Sequence, residues 1–139
     1  MKQTEVSSGA VVVRKHIQLW DVLLIRDAKG VLTFPKGFVE LHESIIHAAR
    51  REAREETGIT GLRYKATLPP ITYIYTRSGK AIHKTVYYAL FSYNGTGKLL
   101  PQQEEGISEI LWVPITAACA IIGYPKTNIP IIQAVLDVL

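Results

Sequence analysis

The stretch that most limits what this chain can fold into is "GFVELHESIIHAARREAREETGI", residues Gly37 to Ile59. Ser44 is a good helix N-cap, Gly58 a good C-terminal stop, and the residues between them are mostly strong helix formers, so the pattern predicts a helix from about 44 to 57. At ~100° per residue, Glu52, Glu55 and Glu56 fall within an arc of about 100°. Ile46, Ala49 and Ala53 follow helical spacing on the other side, and their small size lets that side lie close against a sheet. One helix therefore joins a core face to a face of carboxylates.

A run of Glu and Arg is most often a solvated helix laced with i,i+4 ion pairs, and Arg50, Arg51 and Arg54 are at hand as partners. Against that reading, Glu52 and Glu56 repel each other at i,i+4, a cost of a few tenths of a kcal/mol that a structural surface gains nothing by accepting. A divalent cation removes the conflict. Oxygen ligands without clustered cysteine or histidine favour Mg²⁺, with Mn²⁺ as a substitute, and Mg²⁺ is typically shared between carboxylates, waters and substrate phosphates.

The flanking segments supply strands. "SSGAVVVR" and "WDVLLIRD" read as two strands around "KHIQL", and "DAKGVLTFPKG" supplies turn residues. "ITYIYTRSGKAIHKTVYYALFSY" reads as a hairpin about "RSGK", and "ISEILWVPI" as a further strand ended by Pro114. "TAACAIIGY" and "IPIIQAVLDVL" are apolar helical patterns parted by "PKTN", which places Pro130 in the first turn of the second. "NGTGKLL" reads as a hairpin turn. It lacks both the earlier glycine and the Ser or Thr of a P-loop. The expected fold is a layered α/β (or α+β) domain with a mixed sheet, one domain over residues 1–139.

The bulk numbers narrow the function classes. Of 139 residues, 47% are hydrophobic, enough for a sizeable core. No run approaches the ~18 consecutive apolar residues of a membrane span and no signal-peptide pattern opens the chain, so a cytoplasmic location is expected. The single cysteine, Cys119, builds neither an internal disulfide nor a cysteine metal site. A net charge of +4 suits an anionic ligand but is too mild to argue for nucleic acid.

The spacing Gly37, Glu43, Arg51-Glu52-Ala53, Glu55-Glu56, Gly58-Ile59 resembles the complete box of the Nudix hydrolase family. Gly9-Ala10 in the first strand and Trp112-Val113-Pro114 extend the resemblance over nearly the whole chain. It implies a Nudix fold, a mixed sheet between helices, and hydrolysis of a nucleoside diphosphate linked to another group with a divalent metal. On that resemblance Glu52, Glu55 and Glu56 bind metal, Glu43 and Arg51 are a supporting pair in which the arginine orients carboxylates, and the base is Glu52 or a loop glutamate. In "PQQEEGISEILW" Glu105 fits that loop position best, as base and further metal ligand, and Glu104 next. The box departs from common members at Leu41-His42, where many relatives carry Pro-Gly. His42 tolerates a left-handed backbone less well than glycine. Neither His16 nor His47 is assigned a catalytic role.

"TFPKGFVE" and "HKTVYYALF" resemble the diadenosine polyphosphate hydrolase branch, which implies that Lys36 and Lys84 reach a polyphosphate. Tyrosine faces can stack on adenine. Alternation puts Tyr73 and Tyr75 on one face and sends Tyr87 and Tyr88 to opposite faces. The substrate-binding expectation is Lys36, Lys84, Tyr73 and Tyr87, with Tyr87 taken from the family strand. The expected reaction is hydrolysis of diadenosine tetraphosphate to ATP and AMP. The alternatives are another Nudix pyrophosphohydrolase, acting on an RNA 5′ end, an inositol pyrophosphate, a nucleoside triphosphate or a nucleotide sugar, and a non-catalytic nucleotide sensor. The expected partner is a small nucleotide bound by a monomer or homodimer.

Overall fold

Each strand of the computed structural model, which describes residues 3–139, is placed by what its two faces bury. The chain runs β1 (Gln3–His16), β2 (Leu19–Arg26), β3 (Leu32–Thr33), β4 (Lys36–Phe38), α1 (Ile45–Thr57), β5 (Arg63–Thr67), β6 (Ile71–Arg77), β7 (Lys80–Ser92), a 3₁₀ helix (Gln103–Glu105), β8 (Glu109–Pro114), α2 (Ile115–Ile121) and α3 (Pro125–Val138).

The uninterrupted apolar runs Ala10–Val13 and Val22–Ile25 are buried on both sides, as befits strands in the middle of a layered sheet. Ala10, Val12 and Leu23 face Ala49 and Ala53 of α1. Val11, Val13, Val22 and Leu24 face Ile131, Ile132 and Val135 of α3 and Ala118 of α2. The result is a mixed sheet between helices, as the Nudix resemblance implied. β1 runs parallel to β7 along most of its length, and antiparallel to β2 at its C-terminal end, from Val13 to His16. Its N-terminal half pairs instead with β4, so the sheet divides at Gly9–Val13 and β4 brings Lys36 and Gly37 beside the gap.

Helix α1 is bounded as expected. Ser44 Oγ accepts the His47 N–H at 3.0 Å, and Gly58, at φ 79°, donates its N–H to the Arg54 carbonyl at 2.8 Å. Ser8 Oγ on β1 donates to the Ile45 carbonyl at 2.7 Å and ties the start of the helix to the sheet.

Three readings need correction. "NGTGKLL" forms no hairpin: it is an irregular segment whose Leu100 N–H donates to the Thr57 carbonyl, as the N–H of Gln102, two residues on, does to that of Glu56. The end of α1 thereby finds partners for its last carbonyls and fastens the glutamate loop beside itself. "PKTN" is the first turn of α3 rather than a break, with Pro125 opening the helix and Pro130 inside it. Strand β5, within "LRYKATLP", was not foreseen because its side chains are largely exposed. Among the described residues no helix is long and apolar enough to cross a membrane.

Candidate active site

Arg51 organises the polar face of α1. Its Nε donates to Glu43 Oε2 at 2.7 Å, and its Nη2 to Glu43 Oε1 and the Phe38 carbonyl at 2.9 Å each. Its Nη1 reaches Glu52 Oε1 at 2.8 Å and Glu55 Oε2 at 3.1 Å. The two-pronged grip of Arg51 holds the Glu43 carboxyl down at about 2, and Glu43 in return raises the Arg51 guanidinium. Glu43 Oε1 also accepts the Glu40 N–H at 3.0 Å, so this ion pair locks the loop before α1 onto the helix. In that loop His42 adopts φ 64°, the left-handed conformation that the glycine of common members supplies freely.

Glu52 lies against Gly37. A Cβ at position 37 would fall 2.1 Å from Glu52 Cδ and within 2.3 Å of both carboxylate oxygens, so only glycine fits beneath this side chain. Glu56, one turn on, is 7% exposed. Its Oε1 accepts the Lys36 N–H at 3.3 Å, while its buried Oε2 has no hydrogen-bond partner among the described residues. Burial first, then the charge of Glu52, with Glu105 and Glu55 adding to it, pushes the Glu56 carboxyl up to about 8. Burial likewise raises Glu52, opposed by Arg51. Glu105 projects from the 3₁₀ helix toward the same region and lines the adjoining cavity, whereas Glu104 does not.

These residues suit a hard divalent cation in donor type and in charge: carboxylate oxygens only, negative charge in excess, and one buried oxygen without a partner. No three carboxylate, histidine or cysteine side chains among the described residues are already gathered about one point, since Arg51 engages Glu52 and Glu55. Glu52, Glu55, Glu56 and Glu105 are the carboxylates that could hold Mg²⁺ or Mn²⁺.

Beside Glu56 opens a cavity of about 970 Å³. Lys36, Lys84, Tyr73, Tyr75, Tyr88 and Glu105 are among its walls, so the sheet brings together both lysines and Tyr73 of the sequence reading. Tyr87 is the exception. It shares the α1 side of β7 with Ala89 and Phe91 and does not line the cavity, whereas Lys84 and Tyr88, four residues apart, share the other side. Parity with Lys84 was the signal available in the sequence. Gly9 makes room for Tyr88, since a Cβ there would meet the tyrosine ring at 2.5 Å. The Tyr88 ring packs edge-on to Phe34 at 5.5 Å.

Lys84 is more constrained than a mobile surface lysine. Its Nζ lies 3.5 Å from Glu5 Oε1 and 4.1 Å from the centre of the Phe38 ring, and burial pushes its ammonium down while Glu5 pulls it up. Lys36 is also lowered, by burial first and then by the nearby charge of Lys84. Sequence reasoning missed Glu5 and the far wall formed by Asp27, Tyr124 and Asn128. Tyr124 Oη donates to Asp27 Oδ2 at 3.1 Å across 97 residues of sequence, a pairing with no local signature. None of the four histidines lines the cavity.

The family model described as NUDIX domain matches residues 3–135. A Mycobacterium tuberculosis protein carrying the name mutator protein MutT4 is 38% identical over 118 residues, which cover 80% of this chain and 46% of that protein. Nudix hydrolase 18, mitochondrial, of Arabidopsis thaliana is 51% identical over 43 residues, 30% of this chain and 24% of that one. The chain thus spans about half, or less, of the length of these relatives. Among solved structures, a C. elegans Ap4A hydrolase binary complex superposes with a TM-score of 0.73 at 22% identity, covering 96% of both chains. The NUDIX domain of Shewanella oneidensis NrtR complexed with ADP ribose gives 0.74 at 20% identity, covering 99% of this chain and 89% of that one. These two likenesses establish the fold.

Proposed function

Because the chain belongs to the NUDIX domain family, we propose that it is a pyrophosphohydrolase acting on a nucleoside diphosphate linked to a further group, with diadenosine tetraphosphate as the preferred substrate and ATP and AMP as products. One observation carries the reading: a carboxylate oxygen of Glu56 that is without a partner among the described residues belongs to a side chain in the wall of a cavity that also displays Lys36, Lys84 and four tyrosines. Mg²⁺ held by Glu52, Glu55, Glu56 and Glu105 would neutralise the phosphates and lower the pKa of its bound water.

The chain's own residues supply the rest. Lys36 and Lys84 draw the phosphate chain along the cavity, and Tyr73 with Tyr88 offers aromatic surface to the base. Glu105 or Glu52 takes the proton from the attacking water as the new P–O bond forms and the bridging anhydride P–O bond breaks. Arg51 and Glu43 keep the carboxylates in place without facing the cavity. The Pro-Lys-Gly of the box and the Lys84-Thr85-Val86 strand support the diadenosine substrate. A second reading, a nucleoside triphosphate, is favoured by the crowding of Tyr73, Tyr75 and Tyr88 within a single cavity, which suits one base.

The test is kcat/KM for diadenosine tetraphosphate, ADP-ribose, a nucleoside triphosphate and a triphosphorylated RNA 5′ end, with and without Mg²⁺, read by product identity. Metal-dependent turnover fastest on the tetraphosphate, yielding ATP and AMP, is expected. Faster hydrolysis of ADP-ribose or of the triphosphate would overturn the substrate, and absence of turnover on any of them would overturn the enzyme.

A further inference from the structure

Beside the cavity, three strands place three polar side chains in one row. Glu5 of β1 is in register with Lys84 of β7, and Lys84 with Tyr73 of β6. Glu5 does not line the cavity, but it grips two residues that do. Its Oε1 accepts from Tyr75 Oη and lies 3.5 Å from Lys84 Nζ, and its Oε2 accepts from Arg77 Nη2 at 2.8 Å. The side chains of Glu5 and Lys84 are only 13% and 9% exposed, so this ion pair is poorly screened by water. The Tyr75 hydrogen bond, ahead of the Arg77 contact, holds the Glu5 carboxyl below its ordinary range, and it is an anion at neutral pH. The Phe38 ring gives the Lys84 ammonium a second contact, 4.1 Å from the ring centre.

A phosphate brought to Lys84 therefore meets a cation that already has a counter-ion. We propose that Glu5 is a specificity-determining positioning residue: it fixes Lys84 and Tyr75 in the cavity wall and, as a standing anion behind Lys84, sets how strongly the cavity attracts the distal phosphates of its substrate. The proposal rests on Lys84 facing phosphate, as in the function proposed above, and adds the residue that tunes it. With Glu5 present the Lys84–Arg77–Glu5 group carries one net positive charge, and without it two. A distal phosphate against Lys84 would lie a few ångströms further from the Glu5 carboxylate. At an effective dielectric near 20 and with physiological salt screening the two charges, removing that repulsion is worth on the order of tenfold in binding. A substrate whose phosphates stop short of Lys84 gains far less.

The experiment compares wild type, Glu5→Gln, Lys84→Met and the double variant. Glutamine keeps one acceptor oxygen for the Tyr75 hydroxyl and removes the charge, while its amide nitrogen replaces the oxygen that accepts from Arg77. The ratio of kcat/KM for diadenosine tetraphosphate over ADP-ribose is expected to rise about tenfold in Glu5→Gln, mainly through KM. The rise should shrink as salt is added and vanish on the Lys84→Met background. Calorimetric binding of inorganic tripolyphosphate provides a second measure independent of turnover, and there Glu5→Gln should bind more tightly only while Lys84 is present. If wild type hydrolyses neither nucleotide, the proposed substrate fails while the tripolyphosphate series still decides the role of Glu5. Should Glu5→Gln not fold, Glu5→Asp, which withdraws the carboxylate by one methylene, should shift the ratio and the binding in the same direction. An unchanged ratio and unchanged tripolyphosphate affinity, or equal losses on both substrates, would reduce Glu5 to a structural ion pair and overturn the proposal.

Discussion

The Glu52 carboxyl group occupies the space that a side chain on Gly37 would fill, with Glu52 Cδ 2.1 Å from where a Cβ would stand. β4 and α1 are thereby brought into contact at a carboxylate, and the first residue of the box is tied to its middle. Gly37→Ala is expected to push Glu52 out of position and lower kcat/KM by tenfold to a hundredfold, since small displacements of reacting groups carry penalties of that size. Circular dichroism should show the fold retained. Full activity in a folded Gly37→Ala protein would show that Glu52 needs no fixed position.

Glu56 presents the opposite case, a carboxylate whose charge its surroundings tolerate poorly. Burial and neighbouring carboxylates hold it up at about 8, and one oxygen is without a partner among the described residues. Glu56→Gln should melt roughly 3–5 °C higher than wild type at pH 8 in chelator, corresponding to about 1 kcal/mol in a chain of this size. Adding Mg²⁺ should raise the melting temperature of wild type and leave the variant nearly unmoved, because a ligand stabilises only the protein that binds it. Turnover of the variant should be largely lost. An equal Mg²⁺ response in both proteins would remove Glu56 from the metal site.

Glu43 sets an acid limit. Its folded-state pKa of about 2 lies below its ordinary value because Arg51 donates to both of its oxygens. A carboxylate depressed in this way adds stability that is present in full above about 4.5 and is lost as pH falls through that value toward about 2. Urea midpoints measured from pH 7 to pH 2.5 should therefore fall more steeply for wild type than for Glu43→Gln, with the variant less stable at pH 7. Parallel curves would mean that the pair contributes nothing to folding.

His42 is strained, and among the described residues its side chain makes no hydrogen bond that compensates. Its φ of 64° lies where a side chain is disfavoured and glycine is at ease. His42→Gly is expected to stabilise by about 0.5 kcal/mol, the relief of backbone strain being partly offset by the greater freedom of glycine in the unfolded chain. The measurement is the urea midpoint at constant slope. A loss of more than about 1 kcal/mol on the same measurement would indicate that the imidazole makes a stabilising contact.

Helix α1 and its caps, the apolar strands that pack on it, and the spacing of its glutamates were legible in the sequence because each depends on residues within a few turns of one another. Ser44, Gly58, Ala49 and Ala53 act locally, and periodicity reports them. The sheet order lay outside that reach, because β1 finds β7 across some eighty residues and divides its other edge between β2 and β4. That pairing decided which tyrosine of the Tyr87-Tyr88 pair faces the cavity, and it set Glu5 behind Lys84. Asp27 and Tyr124, 97 residues apart, likewise meet only in the folded chain, in the wall of the same cavity. Which carboxylates share a helix face, and where that helix starts and stops, follow from residue order alone. Which of them is buried without a partner among the described residues depends on the packed fold, because desolvation and distant charge are set by what the rest of the chain places around a side chain.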